Sequence, residues 1–368
     1  MSSRPATAQS IPAEKPQSTS KREFNAATHG LRGIASLGVF WAHLLGGTAE
    51  HIYDDNATYV NLVLAPWHLG SWGVQLFFVI SGFVILPSIR RYSLSQFALR
   101  RFLRLYPLFF AFSLAFIILN ALTNEYPGTN NPIAALAGLT FLNLFTHTEQ
   151  LTPNAWSLTY EVMFYTLAAV GFYFAFTRKS KLGTLAIAIL SALFLFRYPI
   201  ASFFLGGVIV RLVYEEDFRL SNRALRILEV IFGIACVLLA SSRHYDFSQA
   251  DMADPRCWGL LACTTLYFFL AIQPASLTTL AAQNRILVYL GTVSYSLYLV
   301  HPYTYYLIRA LFGRFGLFGA NWALSMLLFF VVTTPVTLVL THFAHRFLEV
   351  GPYQWFFHQR IYQKNKPT

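Results

Sequence analysis

Ten mostly apolar stretches, most of them near twenty residues long, follow one another between residues 28 and 343, and they leave the chain few architectures. A helix of about 20 apolar residues crosses the roughly 30 Å hydrocarbon core of a bilayer. Barrel strands would instead appear as alternating segments of about ten residues, so a barrel is excluded. The spans are read at 28–47, 69–88, 101–122, 154–176, 182–196, 199–214, 224–240, 257–273, 286–308 and 319–343. Only 12% of the residues are charged, where a soluble domain carries about a quarter. The expected fold is all-α: a polytopic membrane protein of about ten transmembrane helices.

Charge sets the orientation. The net charge is +11, and the cations cluster in the links between apolar runs, as the positive-inside rule expects. With ten spans and the N-terminus inside, only Arg197, Arg243, Arg256, Arg309 and Arg314 fall outside. Counting the further apolar stretch 132–147 as a full span would place most later cations outside, so it is read as re-entrant or interfacial. Both termini are then cytoplasmic, and the membrane is expected to be a bacterial cytoplasmic (inner) membrane. Residues 1–27 read as a disordered tail without a signal peptide's apolar core and cleavage site, so the first span is retained. Residues 28–348 form one transmembrane domain without internal repeats, and 349–368 a short cytoplasmic tail. No basic stripe interleaves with exposed aromatics, which argues against nucleic acid. Cys236, Cys257 and Cys263 lack the number and spacing of a disulfide framework or a metal site. Two outer loops, 48–68 and 123–153, carry acidic, aromatic and turn residues without Lys or Arg. They suit either a solvated connection or a neutral hydroxylated acceptor.

Four stretches could carry chemistry. In the first span Arg32 and His43 stand eleven residues apart, three helical turns plus about 20°, hence on one face and roughly 16 Å apart along the axis. A neutral imidazole inside a membrane helix can take a proton from a hydroxyl, and intramembrane ionisable groups are costly enough to need a reason. Packing for His43 and snorkelling for Arg32 are the competing readings. Glu161 closes the run Trp156-Ser157-Leu158-Thr159-Tyr160-Glu161. It lies at a depth similar to that of His43, where a carboxylate could orient the imidazole or the acceptor hydroxyl. Arg100, Arg101 and Arg104 flank the cytoplasmic start of the third span. Guanidinium groups there could grip the phosphates of a coenzyme A ester, or anchor the helix to anionic lipid. Ser81-Gly82 reads as close helix packing, and an acyl-serine at Ser81 lacks an adjacent base in sequence. Tyr295 and His301 sit in Ser294-Tyr-Ser-Leu-Tyr-Leu-Val-His301, where they would line a cavity or pack.

Together these stretches resemble the acyltransferase 3 family of integral membrane acyltransferases. The resemblance rests on Arg32 and His43, Phe77-Phe-Val-Ile-Ser-Gly-Phe83, Arg100-Arg101-x-x-Arg104-x-Tyr106-Pro107 and Trp156-Ser157-Leu158-x-x-Glu161. It continues in the run ending at His301 and in Phe347-Leu-Glu349. Each is weak alone, but they occur in order over most of the chain. The resemblance implies transfer of an acyl group, usually acetyl, from cytoplasmic acyl-CoA to a hydroxyl of a glycan, lipid-linked saccharide or glycosylated natural product. It also implies a role in cell-envelope or polysaccharide O-acetylation, with acyl-CoA as co-substrate and no metal. His43, Arg32 and Glu161 would be catalytic and Arg100, Arg101 and Arg104 would bind the donor. Trp156, Ser157, Ser81, Tyr295 and His301 would contact substrate. Tyr160 stands where the family commonly has an acidic residue. The sequence ends at Thr368 with no appended hydrolase-like domain, so direct transfer or hand-off to a separate partner is expected. A transporter of a polar or lipidic solute is the rival reading, and a scaffold the second.

Overall fold

The computed structural model describes residues 26–152, 154–216 and 221–357. These are helical without a strand among them. The helices are α1 (Ala26–His51), α2 (Ala57–Arg91), α3 (Leu94–Thr123), α4 (Pro132–Leu139) and α5 (Asn143–Thr146). Next come α6 (Trp156–Phe172), α7 (Lys181–Arg197), α8 (Ser202–Glu215), α9 (Asn222–Ser242) and α10 (Pro255–Ala271). The last are α11 (Leu277–Ala282), α12 (Arg285–Arg314), α13 (Trp322–Ala344) and α14 (Gly351–Phe357). Two π-helical segments, Tyr173–Thr177 and His345–Val350, prolong α6 and join α13 to α14. The segment expected as a C-terminal tail is thus helical through Phe357. The expected N-terminal tail lies outside the described residues up to 25, as do residues 358–368.

Each predicted span falls on one of the longer helices. By length and apolarity alone, however, five helices among the described residues qualify to cross a membrane: α2, α3, α6 with its extension, α9, and α13 through Phe357. α7 and α8, bent by 117° at Tyr198, qualify as a sixth only together. α1 and α12 fall short because they carry the polar residues that face the interior cavities described below. α10 is only 17 residues long. The stretch 132–147 is not one span: α4 and α5 are separated at Phe141, whose φ of 59° breaks the helix. The loop expected at 48–68 shrinks to a few residues, because α1 runs on to His51 and α2 starts at Ala57. Asn56 caps α2 by accepting from the Tyr59 amide at 3.0 Å, which satisfies one of the free amides of a helix start.

α1 is the central element, packed along α2 on one side and α12 on the other, and α2 in turn packs on α8. The crossings are made by glycine. A Cβ on Gly291 of α12 would lie 2.0 Å from the His29 carbonyl oxygen of α1, and one on Gly82 of α2 would lie 2.0 Å from the Phe204 oxygen of α8. Small residues let backbones approach this closely, as expected for Ser81-Gly82. Span 224–240 also holds a buried carboxylate that hydropathy passes over. Glu229 in α9 accepts from the Leu277 and Thr278 amides, each at 2.7 Å, and so caps α11.

Candidate active site

The helices enclose two recesses at opposite ends of the bundle. Along α1, Arg32 near the start faces one and His43 near the end faces the other. α2 runs the opposite way, with Ser71 and Gln75 on the His43 side and Ser81 and Val84 on the Arg32 side. α3 turns back again: Arg101 and Arg104 join Arg32, and Phe116 to Thr123 join His43. Named for the sides on which the loop charges would place them, the Arg32 recess is called the inner chamber and the His43 recess the outer cleft.

The inner chamber is narrow, about 60 Å3. Roughly 10–15 Å3 holds one water, so it has room for about four to six water-sized groups. Arg32, Arg101 and Arg104 all line it, with Ser81, Ser157, Glu161 and Tyr295. Among the described residues none of these arginines has a carboxylate within 4.0 Å, and the buried Nε of Arg32 lacks a partner. Three guanidinium groups on one chamber, none ion-paired among the described residues although Arg101 donates to Ser88 at 3.4 Å, fit an anionic ligand such as a phosphate-bearing donor. Glu161 is held by two donors on one oxygen: Ser81 Oγ at 2.7 Å and the Tyr165 hydroxyl in a short hydrogen bond. Its second oxygen is left for the chamber. The Arg101 guanidinium stacks 4.7 Å from the Tyr165 ring centre, which fixes its approach. Tyr295 donates to the Leu105 carbonyl at 2.6 Å and ties α12 to α3.

The outer cleft is far larger, about 820 Å3. Trp67, Trp156, Tyr126 and Tyr160 stand among its many aromatic rings, while Glu50, Glu125 and Arg309 bring charge to it. Both expected outer loops contribute to it. His43 faces the cleft, with Nδ1 2.8 Å from the Val39 carbonyl oxygen of its own helix. A carbonyl only accepts, so Nδ1 carries the hydrogen and Nε2 presents its lone pair. The His301 ring, fully buried, stands 5.0 Å from the His43 ring.

Val74 and Tyr298 line both recesses and so form the wall between them. The Tyr298 hydroxyl donates to the Asn154 carbonyl at 2.6 Å, and Ser157 Oγ, 2.9 Å away, donates to the phenol oxygen. Asn154 also gives its side-chain amide to the Tyr298 carbonyl in a short hydrogen bond. The edge of Phe77 packs on the same ring at 6.1 Å.

The structure thus divides the expected site residues. Arg32, Arg101, Arg104, Ser81, Ser157, Glu161 and Tyr295 meet in the chamber, whereas His43 and Trp156 line the cleft with His301 behind. Arg100 joins neither: its guanidinium sits between the rings of Tyr92 at 4.4 Å and Phe357 at 4.6 Å, and donates to Tyr353 at 3.1 Å. The expectation that Glu161 orients His43 is corrected. Depth along a helix does not fix its face, and the Glu161 carboxylate turns to Ser81 and Tyr165 on the far side of Tyr298. Tyr160, the position where an acidic residue was expected, turns instead to the cleft. Sequence reasoning missed Tyr165, although its four-residue spacing from Glu161 places both on one face. It also missed Asn154 and Tyr298, whose pairing across 144 residues leaves no local signal.

No curated protein matches the chain, and no solved structure does. The family model described as an acyltransferase domain matches residues 25–342, most of the chain and every recess-lining residue named above. The chain belongs to the acyltransferase 3 family and is a membrane acyltransferase.

Proposed function

We propose that the protein transfers a short acyl group, acetyl first among them, from cytoplasmic acyl-CoA to a hydroxyl on the outer side of a bacterial cytoplasmic membrane. The acceptor is a glycan, a lipid-linked saccharide or a glycosylated natural product. The observation that carries this is the meeting of two unlike recesses at a wall of two residues. A narrow cationic chamber and a wide aromatic cleft share only Val74 and Tyr298. The chamber is too small for a nucleotide. Arg101 and Arg104 would therefore hold phosphate at its mouth, while the acyl end reaches inward past Arg32. Aromatic rings with scattered polar groups suit a sugar or glycoside face in the cleft. His43, with Nε2 free, takes the hydroxyl proton as general base. The hydroxyl oxygen bonds to the thioester carbonyl carbon and the carbon–sulfur bond breaks, releasing the thiolate, while Arg32, roughly 16 Å from His43 along α1, holds the donor from the chamber side.

Membranes holding the native acceptor, incubated with radiolabelled acetyl-CoA, test this. Wild type should move label into the acceptor fraction, and His43→Ala should lose roughly 10²–10⁴-fold of that rate. Solute flux across vesicles without CoA release would favour the transporter reading instead. One contact favours a second route. Ser81 Oγ lies 2.7 Å from Glu161, so the base that the sequence lacks nearby is present in space. An acyl-serine relay predicts that Ser81→Ala abolishes turnover and that wild type accumulates a hydroxylamine-sensitive label. Direct transfer predicts neither.

A further inference from the structure

His301 carries a buried nitrogen that the mechanism above leaves unexplained. The side chain is 0% exposed, Nδ1 lies 3.1 Å from the Leu297 carbonyl oxygen, and Nε2 has no hydrogen-bond partner among the described residues. Since the carbonyl only accepts, Nδ1 holds the hydrogen and Nε2 is a buried lone pair. His43 repeats the arrangement on α1, so two imidazoles with the same tautomer stand 5.0 Å apart, tilted by 47°. Native proteins rarely leave such an acceptor unsatisfied, and each exception asks for a reason.

No carboxylate of the described residues lies within 4.0 Å of His43. Glu161 is committed to Ser81 and Tyr165 across Tyr298. The charged groups facing the cleft are Glu50 and His51 on α1, Glu125 after α3, His244 and Asp246 after α9, and Arg309 on α12. Glu125 is engaged by Arg309 at 3.5 Å, Asp246 by His244 at 3.1 Å, and Glu50 lies 3.9 Å from His51. The tyrosines of the lining, among them Tyr298 with its ring 5.9 Å from that of His301, are neutral near pH 7. Each of these acids has a basic neighbour of its own, and the basic ring packed against His43 is that of His301, 5.0 Å away.

We propose that His301 is the positioning partner of His43 and shares the proton that His43 removes from the acceptor. The inference rests on His43 acting as the base. As the acceptor O–H bond breaks and its oxygen bonds to the acyl carbon, the proton passes to His43 Nε2. His301 Nε2 accepts a hydrogen bond from that N–H, directly or through one water. The carbon–sulfur bond breaks, the proton leaves to the thiolate, and both rings return to their starting state. In hydrolase triads a carboxylate holds the ring nitrogen opposite the reacting one; here the Val39 carbonyl fills that place, and the partner shares the proton on Nε2 itself. An imidazole does so without placing a permanent charge in the membrane interior, where an ion is expensive.

The test has a part that needs no substrate. Ring-nitrogen NMR of isotope-labelled histidine in the purified protein reads the protonation of His43 directly. In His301→Gln the midpoint should fall by about one unit, a tenfold loss of proton affinity. In native membranes with radiolabelled acetyl-CoA, His301→Gln should lower kcat about tenfold and His301→Phe about a hundredfold, with donor KM unchanged. The acid limb of the pH–rate profile should move to lower pH. Gln still accepts a hydrogen bond, so it retains more activity than Phe, an order that packing alone would reverse. The proposal is overturned if His43 titrates identically with and without His301. It is equally overturned if the loss lies wholly in acceptor KM, which would make His301 a substrate contact. If His301→Phe fails to fold, His301→Gln decides by itself. If wild type consumes no acetyl-CoA, the proposed function fails while the NMR titration still decides this point.

Discussion

At the scale of single residues, the Glu161 carboxylate is the group whose surroundings most restrict its chemistry. Both donors bind its Oε1, Ser81 from α2 and Tyr165 one turn further along α6. Glu161→Gln keeps the shape but removes the negative charge that offsets the three arginines of the chamber. The expected result is at least a hundredfold loss of acetyl-CoA turnover, of the size seen when a positioned acid or base is removed. Tyr165→Phe leaves Ser81 as the sole donor and should cost only about tenfold, the size of one lost hydrogen bond to a charged group. CoA release at saturating donor distinguishes the two. The sequence carried the identity of Arg32, His43 and Glu161, because ionisable residues in apolar runs are conspicuous. It did not carry their grouping. Arg32 and His43 share a helical face yet serve different recesses, and Glu161 falls with Arg32 because helix rotation and crossing decide which side chains meet.

At the scale of elements, the α2–α8 crossing holds the chamber wall in place. A Cβ at Gly207 would lie 1.9 Å from the Val79 carbonyl oxygen, and one at Gly82 equally close to Phe204. Backbone cannot yield as a flexible side chain does. Gly207→Ala should therefore push α8 off α2 at a cost of roughly 1–3 kcal/mol, seen as a lower thermal midpoint in detergent. Gly313→Ala, where nothing lies within 4 Å, is the matched control and should not lower it. Hydropathy located the helices well because apolar length is a local property. It shortened α2 by a dozen residues at its start, where polar and apolar residues mix beyond the membrane-length run. It also missed α11, whose six residues are held by the Glu229 cap rather than by periodicity.

At the scale of the whole molecule, α1, α3 and α12 run from chamber to cleft and α2 runs back between them, which places the two recesses at opposite ends of the bundle. Single cysteines at Arg91, exposed at the end of α2, and at Glu50, in a background without Cys236, Cys257 and Cys263, should react with impermeant thiol reagents from opposite faces of oriented vesicles. Labelling of both from one face would contradict the orientation drawn from the loop charges. The Tyr298 wall then has an electrical consequence. Water reaching in from both ends leaves little low-dielectric thickness between them, so a membrane potential falls mainly across that ring rather than over the full bilayer. Any charge crossing there is driven by about 2.3 kcal/mol per 100 mV. A proton or thiolate moving past Tyr298 during turnover would feel most of that field, and the rate of acyl transfer would follow the voltage of the membrane in which the protein sits.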